Sequence, residues 1–302
     1  MKHENLVTIN QDRCTGCGLC TTVCPVRCIA LVGGRSRIIA PGSISCGHCE
    51  AVCPAQAIRV ENLDDSVGKY ATFTADRGWM APGEYNIQQL VRLMASRRSC
   101  RSYTNTPVKR EQLEDLVKIG VTAPSGSNAQ RWAFTILPTR ASLDLLTTQI
   151  LKFFRSLNRR AGFAPLRFAL KMVGKRALDD YYHKYYETIH DGIAAWEKKH
   201  EDRLFHGAPA ALIVSSRPGA SCPAEDALLA TQNILLGAHS MGLGTCLIGF
   251  AVAAMQQDPK IKKTIGIPAD EIVHSVITVG YSEETYRVVT RRKPLTLRYF
   301  DV

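Results

Sequence analysis

The cysteines near the amino terminus constrain this chain most, because they form a repeat. Cys14–Ile29 reads CTGCGLCTTVCPVRCI and Ser43–Ile58 reads SISCGHCEAVCPAQAI. Laid over one another, Cys17 falls on Cys46, Cys20 on Cys49, Cys24 on Cys53, Pro25 on Pro54 and Ile29 on Ile58; the one break at a ligand place is Cys14 against Ser43. Three thiolates this close in sequence can wrap one iron–sulfur cube, and a further Cys, held away by the Pro behind it, can reach a second cube. Zinc sites usually come as two separated C-x2-C pairs, not as three Cys in a tight run followed by C-P.

The run C-x2-C-x2-C-x3-C-P resembles the bacterial two-cluster ferredoxins, whose two halves exchange ligands. Crossed in that way, a first 4Fe-4S cluster takes Cys14, Cys17, Cys20 and Cys53, and a second takes Cys24, Cys46, Cys49 and one more group. Ser43 stands where that group belongs, although an alkoxide is harder and more basic than a thiolate. Cys28, four residues after Cys24, is the other candidate ligand, unless it is a free thiol packed beside the cluster. A second cluster that is incomplete or lacks one iron is the third possibility, and the sequence leaves all three open.

Length and composition allow one small and one larger domain: 302 residues, 45 % hydrophobic. Eleven Cys, eight of them before residue 54, in a chain with no apolar leader point to metal ligation and a cytoplasmic protein, not to disulfides. Cys100, Cys222 and Cys246 are scattered and expected to be unpaired. No run of 18 apolar residues occurs, so no membrane helix is expected. The net charge of +11 gathers between Lys152 and Arg203 and around Arg287–Arg298, without a nucleic-acid motif. Nucleic acid is therefore not expected as a partner; an acidic redox partner or an anionic cofactor suits the charge better.

Residues 4–11 and 37–40 read as short strands flanking the cysteine loops of a domain over 1–60. The polar stretch 61–84 reads as a linker wrapping onto a second domain over 85–302. Asn86–Ala95 sets Ile87, Leu90, Val91 and Met94 on one helical face. A second helix is expected after Thr106, with Pro107 in its first turn and Leu113, Leu116, Val117 and Gly120 inward. Two segments flank it. Ser96–Val108 (SRRSCRSYTNTPV) gathers Arg97, Arg98, Ser99 and Arg101, whose forks and hydroxyl suit a phosphate monoester. Ala123–Phe134 (APSGSNAQRWAF) is a turn of small polar donors leading into an aromatic strand.

In this order, with MGLGTCLIGF at Met241–Phe250 after a helix over Cys222–Ser240, a strand over Ile272–Tyr281 and a basic tail TRRKPL at Thr290–Leu295, these segments resemble the nitroreductase family of flavin enzymes. The resemblance covers roughly Tyr85 to Val302. It implies an α+β chain: a ferredoxin-like iron–sulfur domain followed by a nitroreductase-like FMN domain, a mixed sheet flanked by helices. It further implies that Arg97, Ser99 and Arg101, supported by Arg98, hold the FMN phosphate, with Arg291 or Arg292 reaching in. Pro124, Ser125, Ser127 and Asn128 are then expected to touch the flavin ring from the neighbouring subunit of a homodimer. Ile248 and Gly249 are expected beside the ring's reactive edge, where a backbone N–H can donate to it. No G-x-G-x-x-G or Walker A sequence supports another nucleotide fold.

Residues 141–206 are more helix than the family core needs. Tyr181, Tyr182, Tyr185 and Tyr186 are read there as a packing stripe in preference to an aromatic lid, and the scattered His residues as structural. No catalytic side chain is identified. Joining clusters to FMN makes a converter between one-electron and two-electron chemistry. The expected function is a reductase fed by a low-potential donor such as ferredoxin and acting on a small organic acceptor: a nitroaromatic, a quinone, an activated C=C or a carbon–halogen bond. A redox sensor or electron relay, and an enzyme that fragments its own flavin, are the alternatives.

Overall fold

Short apolar strands pair across the cysteine repeat and set its two halves against each other. The computed structural model describes residues 6–301, so residues 1–5 and Val302 of the two expected domains lie outside it. β1 (Val7–Ile9) leads to α1 (Leu19–Thr22), then to the hairpin of β2 (Ile29–Val32) and β3 (Arg35–Ile38), α2 (His48–Ala51) and β4 (Ile58–Val60). β1 pairs antiparallel with β4, Val7 opposite Val60, and β2 with β3, Ile29 opposite Ile38. Both β2 and β4 went unread in the sequence, because three or four residues show too little alternation to stand out.

Residues 61–86 contain no helix or strand and run over the next domain. The Ala71 and Thr72 amides and the Thr72 hydroxyl all donate to the fully buried Asp115 carboxylate, at 2.7–3.0 Å. Lys118 Nζ donates to the Lys69 carbonyl. α3 (Ile87–Ser96) is opened by Asn86, whose side chain accepts the Gln89 N–H. α4 (Arg110–Gly120) starts later than expected: Lys109 is its cap, held by the Gln112 side chain, and Pro107 precedes the helix. Leu113 and Leu116 are fully buried, each stabilising the fold by about 1.5–3 kcal/mol.

A 3-10 turn (Gly126–Asn128) and β5 (Trp132–Leu137) follow, then a helical excursion of α5 (Arg140–Gly162), α6 (Ala164–Met172) and α7 (Ala177–Lys199). The chain returns through β6 (Ala210–Ser216), α8 (Pro223–Ser240), β7 (Gly244–Leu247), α9 (Gly249–Gln257), α10 (Pro259–Thr264) and β8 (Ile272–Gly280). The sheet order is β5-β6-β8-β7, every neighbour antiparallel, and a parallel bridge from Ser99 to Thr245 makes it mixed at the β7 edge. β6 is buried throughout, and its side chains alternate between two cores. Ala211 and Ile213 join the α5 and α9 side, with Leu146, Ile150 and Met255. Ala210, Leu212 and Val214 join the α4 and α8 side, with Leu116 and Ile234. α4 and α8 approach closely at Gly120, where an added Cβ would lie 2.9 Å from Ile234.

The tyrosines of α7 do pack. Tyr181 and Tyr185 lie against the α5–α9 core, Tyr185 edge-on to Phe250, and the Arg167 guanidinium sits 3.6 Å over the Tyr182 ring. No helix among the described residues is long and apolar enough to cross a membrane.

Candidate functional site

Strand pairing joins the two halves of the cysteine repeat. The Asn10 N–H donates to the Ala57 carbonyl at 2.7 Å, just beyond the β1–β4 pair, which ties the start of the first cysteine loop to the segment after Cys53. Ser36, buried, donates its N–H to Cys14 Sγ at 3.4 Å and lies 3.1 Å from Cys20 Sγ through its hydroxyl. Those bonds, the Ser36 amide first, hold the Cys14 thiol below its ordinary pKa. The Ala57 N–H similarly points at Cys53 Sγ.

The second set lines one small cavity: Cys24, Cys28, Ser43, Cys46 and Cys49. Cys24 comes from the first half and Cys46 and Cys49 from the second, so the halves cross here. Cys28 is buried with its sulfur 3.6 Å from that of Cys24. Burial first, then the bond to Cys24, pushes the Cys28 thiol up to about 11. Ser43 Oγ accepts the Ser45 N–H. Among the described residues, no three His, Cys, Asp or Glu side chains converge as ligands of a single ion; these thiols surround a space instead. That donor set, soft sulfurs on a shared cavity, fits a cluster.

The two loops turn alike. Gly18 and Gly47 both have φ +76° and open α1 and α2. Gly16 has φ +73°, and a Cβ on it would fall 2.0 Å from the Gly34 carbonyl oxygen. Its counterpart in the second half is Ser45, at φ +52°, a conformation with a cost for any residue bearing a Cβ.

Arginine side chains converge at the end of α3. Burial first, and the positive charges of Arg98 and Arg292 beside it, push the Arg97 guanidinium below its ordinary pKa. Like charges gathered in this way suit an anion. Of the two tail arginines, Arg292 is the one whose charge reaches Arg97. The Ser99–Thr245 bridge and the bond from the Cys100 N–H to the Thr245 carbonyl, 2.9 Å, sew this segment to β7. Cys246 on β7 lies within reach of Ser99, Arg101 and Arg97, and burial raises its thiol despite those charges. Glu284 takes the Arg101 N–H and the Tyr286 hydroxyl, folding the start of the tail against the arginines.

Ile248 and Gly249 follow β7. The Ile248 N–H donates to the Val276 carbonyl, so it is not free for a ligand. Gly249 is the first residue of α9, where amides lack helical acceptors. It is exposed, and a Cβ there would meet nothing within 4 Å. An open amide with free space above it fits the edge of a planar ring.

The Pro124–Asn128 turn is held from below and from the side. The Gly126 N–H donates to Asp226 Oδ1 at 2.8 Å, and the Gln130 N–H to Ser125 Oγ. Pro124 and Ser127 are exposed. Asn128 reaches the iron–sulfur domain: its Nδ2 donates to the carbonyls of Ser45, 2.9 Å, and Ile44, 3.2 Å. Sequence reasoning missed Ser36, Asp226, Glu284 and this use of Asn128. Gly126 and Asp226 lie 100 residues apart, and no periodic pattern in the sequence joins them.

Comparison with known proteins bears on both parts. The nitroreductase family profile matches residues 94–281, and that of a 4Fe-4S binding domain matches residues 7–30. The chain is 25 % identical over 228 residues to a 4-nitrobenzoate reductase of Nocardioides sp., covering 69 % of this chain and 88 % of that protein. It is 25 % identical over 219 residues to an iodotyrosine dehalogenase 1 homolog of Caenorhabditis elegans, covering 70 % and 60 %. A solved structure of a nitroreductase with bound FMN from Bacteroides fragilis is similar at 18 % identity, TM-score 0.49, over 69 % of this chain and 95 % of that one.

Proposed function

The chain belongs to the nitroreductase family and carries a 4Fe-4S binding domain ahead of it, and from that premise we propose that it is an FMN-dependent reductase fed through two iron–sulfur clusters. The donor is a low-potential one-electron carrier such as ferredoxin, and the acceptor a small organic molecule with a nitro, quinone, activated C=C or carbon–halogen group. One observation carries the reading: a cavity walled by four thiols and a cluster of arginines occur in a single chain. A reductase taking hydride from a nicotinamide has no need of the first.

FMN, when bound, accepts electrons singly and delivers them in pairs, which is what a cluster and a two-electron acceptor require between them. Arg97, Ser99, Arg101 and Arg292, with Arg98 behind them, hold its phosphate through charge-assisted bonds. The Gly249 N–H donates to the ring's edge. Pro124, Ser125 and Ser127 border the ring across a homodimer interface, while the Asn128 side chain is taken up by the Ser45 and Ile44 carbonyls and by Gln130. The apolar face of α3, with Ile87 66 % and Val91 55 % exposed in the single chain, suits burial against the second copy. Cys14, Cys17, Cys20 and Cys53 hold one cluster. Cys24, Cys46 and Cys49 hold three corners of the other, and Ser43 or Cys28 supplies the fourth.

Anaerobically purified protein, given reduced ferredoxin, should reduce 4-nitrobenzoate, a quinone or a halophenol in steady turnover, and should oxidise NADH and NADPH poorly. Rapid turnover with either nicotinamide would end the donor assignment. Flavin reduction without turnover of any small acceptor would replace the enzyme by an electron relay.

A further inference from the structure

The second cysteine loop and the Pro124–Asn128 turn meet through one side chain. Asn128 Nδ2 donates to both the Ser45 and the Ile44 carbonyls, and Cys46 follows directly. The Asn128 amide cannot flip freely, because its Oδ1 accepts from Gln130 Nε2 at 2.9 Å. Ser127, Asn128 and Gln130 all have φ near +50°, so the turn itself is held in a costly conformation that aims this amide. On the other side, Ser45 adopts the left-handed conformation that Gly16 adopts in the first loop. A seryl residue there lacks glycine's freedom, and the bond to its carbonyl offsets that cost. The first loop contains no such strained residue between its cysteines; its left-handed positions are Gly16 and Gly18.

We propose that Asn128 is a clamp that positions the Cys46 loop against the flavin turn, so that the Cys24–Cys46–Cys49 cluster is the one that hands electrons to the flavin. This rests on the reading above, in which that turn borders the ring. The Cys14–Cys17–Cys20–Cys53 cluster is then the outer one, facing the donor. With the cofactors bound, the transfers served by this loop would be of single electrons, lost by the external carrier and gained in the end by the flavin, with no bond broken. Asn128 acts through the loop it holds; it is a positioning residue. The role also gives a reason for the serine at position 45, where the repeat has glycine: its carbonyl is fixed by the clamp and needs no freedom.

The test uses the full-length protein with its cofactors. Asn128→Asp keeps the side-chain shape but removes the donor and sets a carboxylate against two carbonyls; Gln130→Leu only frees the Asn128 amide. In Asn128→Asp, amide hydrogen exchange in residues 43–47 should rise about tenfold, the equivalent of one lost hydrogen bond, while residues 14–20 keep their protection. After anaerobic mixing with reduced ferredoxin, the clusters should bleach at the normal rate and the flavin more slowly, at unchanged iron and flavin content. Gln130→Leu should show the same pattern in weaker form. Unchanged exchange in residues 43–47, or raised exchange with flavin reduction at the normal rate, overturns the clamp. A variant that loses flavin while its clusters and exchange stay normal also overturns it, because Asn128 would then serve the ring and not the loop. Absence of flavin from the unaltered protein would remove the functional reading first, and this inference with it.

Discussion

At the scale of single residues, this chain repeatedly places one polar side chain where a backbone turn needs it. Asp115 shows the energetics. Burial works against its charge, yet the Ala71 and Thr72 donors, with Lys118 nearby, hold its carboxyl below the usual range. A carboxylate with a depressed folded-state pKa contributes stability above its unfolded pKa and loses it as pH falls through the folded value. Asp115→Asn should therefore cost about 2–4 kcal/mol at neutral pH by denaturant unfolding, with the difference from the unaltered protein shrinking below about pH 4. Arg97 makes the opposite case, a cation held among cations. Arg97→Ala should relieve repulsion and leave the fold at least as stable, while flavin per chain after gel filtration drops sharply and iron stays constant. Normal flavin occupancy in both Arg97→Ala and Arg101→Ala would show that the phosphate is held elsewhere.

Among elements, α3 is the odd one. It has a good cap and an amphipathic pattern, but none of its residues is buried within the chain. Helices this short are held mainly by burying an apolar face, so the face is expected to close against a second copy. Val91→Glu should then leave the helical signal of the chain largely intact and halve the mass seen by sedimentation. A dimer that survives both Val91→Glu and Ile87→Glu would place the two-fold interface on another surface. The α7 tyrosines illustrate the converse, since the same spacing that reads as a lid is satisfied by packing on Phe250 and Arg167.

Over the whole molecule, stability is divided unequally. The two cores around β6 are large and need no metal to close them. The third consists of Val7, Ile29, Ile58 and Val60 together with Cys20, Cys28 and Cys49, so candidate ligands are themselves core residues. A domain this small rarely stands on burial alone, and metal binding supplies much of its folding free energy. Removing iron with a chelator should unfold residues 6–60 selectively. Limited proteolysis should then cut within 61–86 and leave a flavin-bearing fragment, read by mass spectrometry. Uniform resistance of the iron-free chain would show that the domain folds without its clusters.

The sequence by itself determined the chemistry: which sulfurs sit at ligand spacing, which arginines can meet a phosphate, and where α3, α8 and β8 run. These are local quantities, set by spacing and by the 3.6-residue and two-residue periods. It did not determine where α4 begins, because a Pro near a helix start is compatible with more than one cap. Only the tertiary structure decided which thiols share a cavity, that Ile248 has no free amide while Gly249 does, and that Asn128 faces Ser45. Each of those depends on segments far apart in the chain coming together, as β7 and β8 do at Ile248, and a hydrogen bond between residues 83 positions apart leaves no periodic trace in the chain.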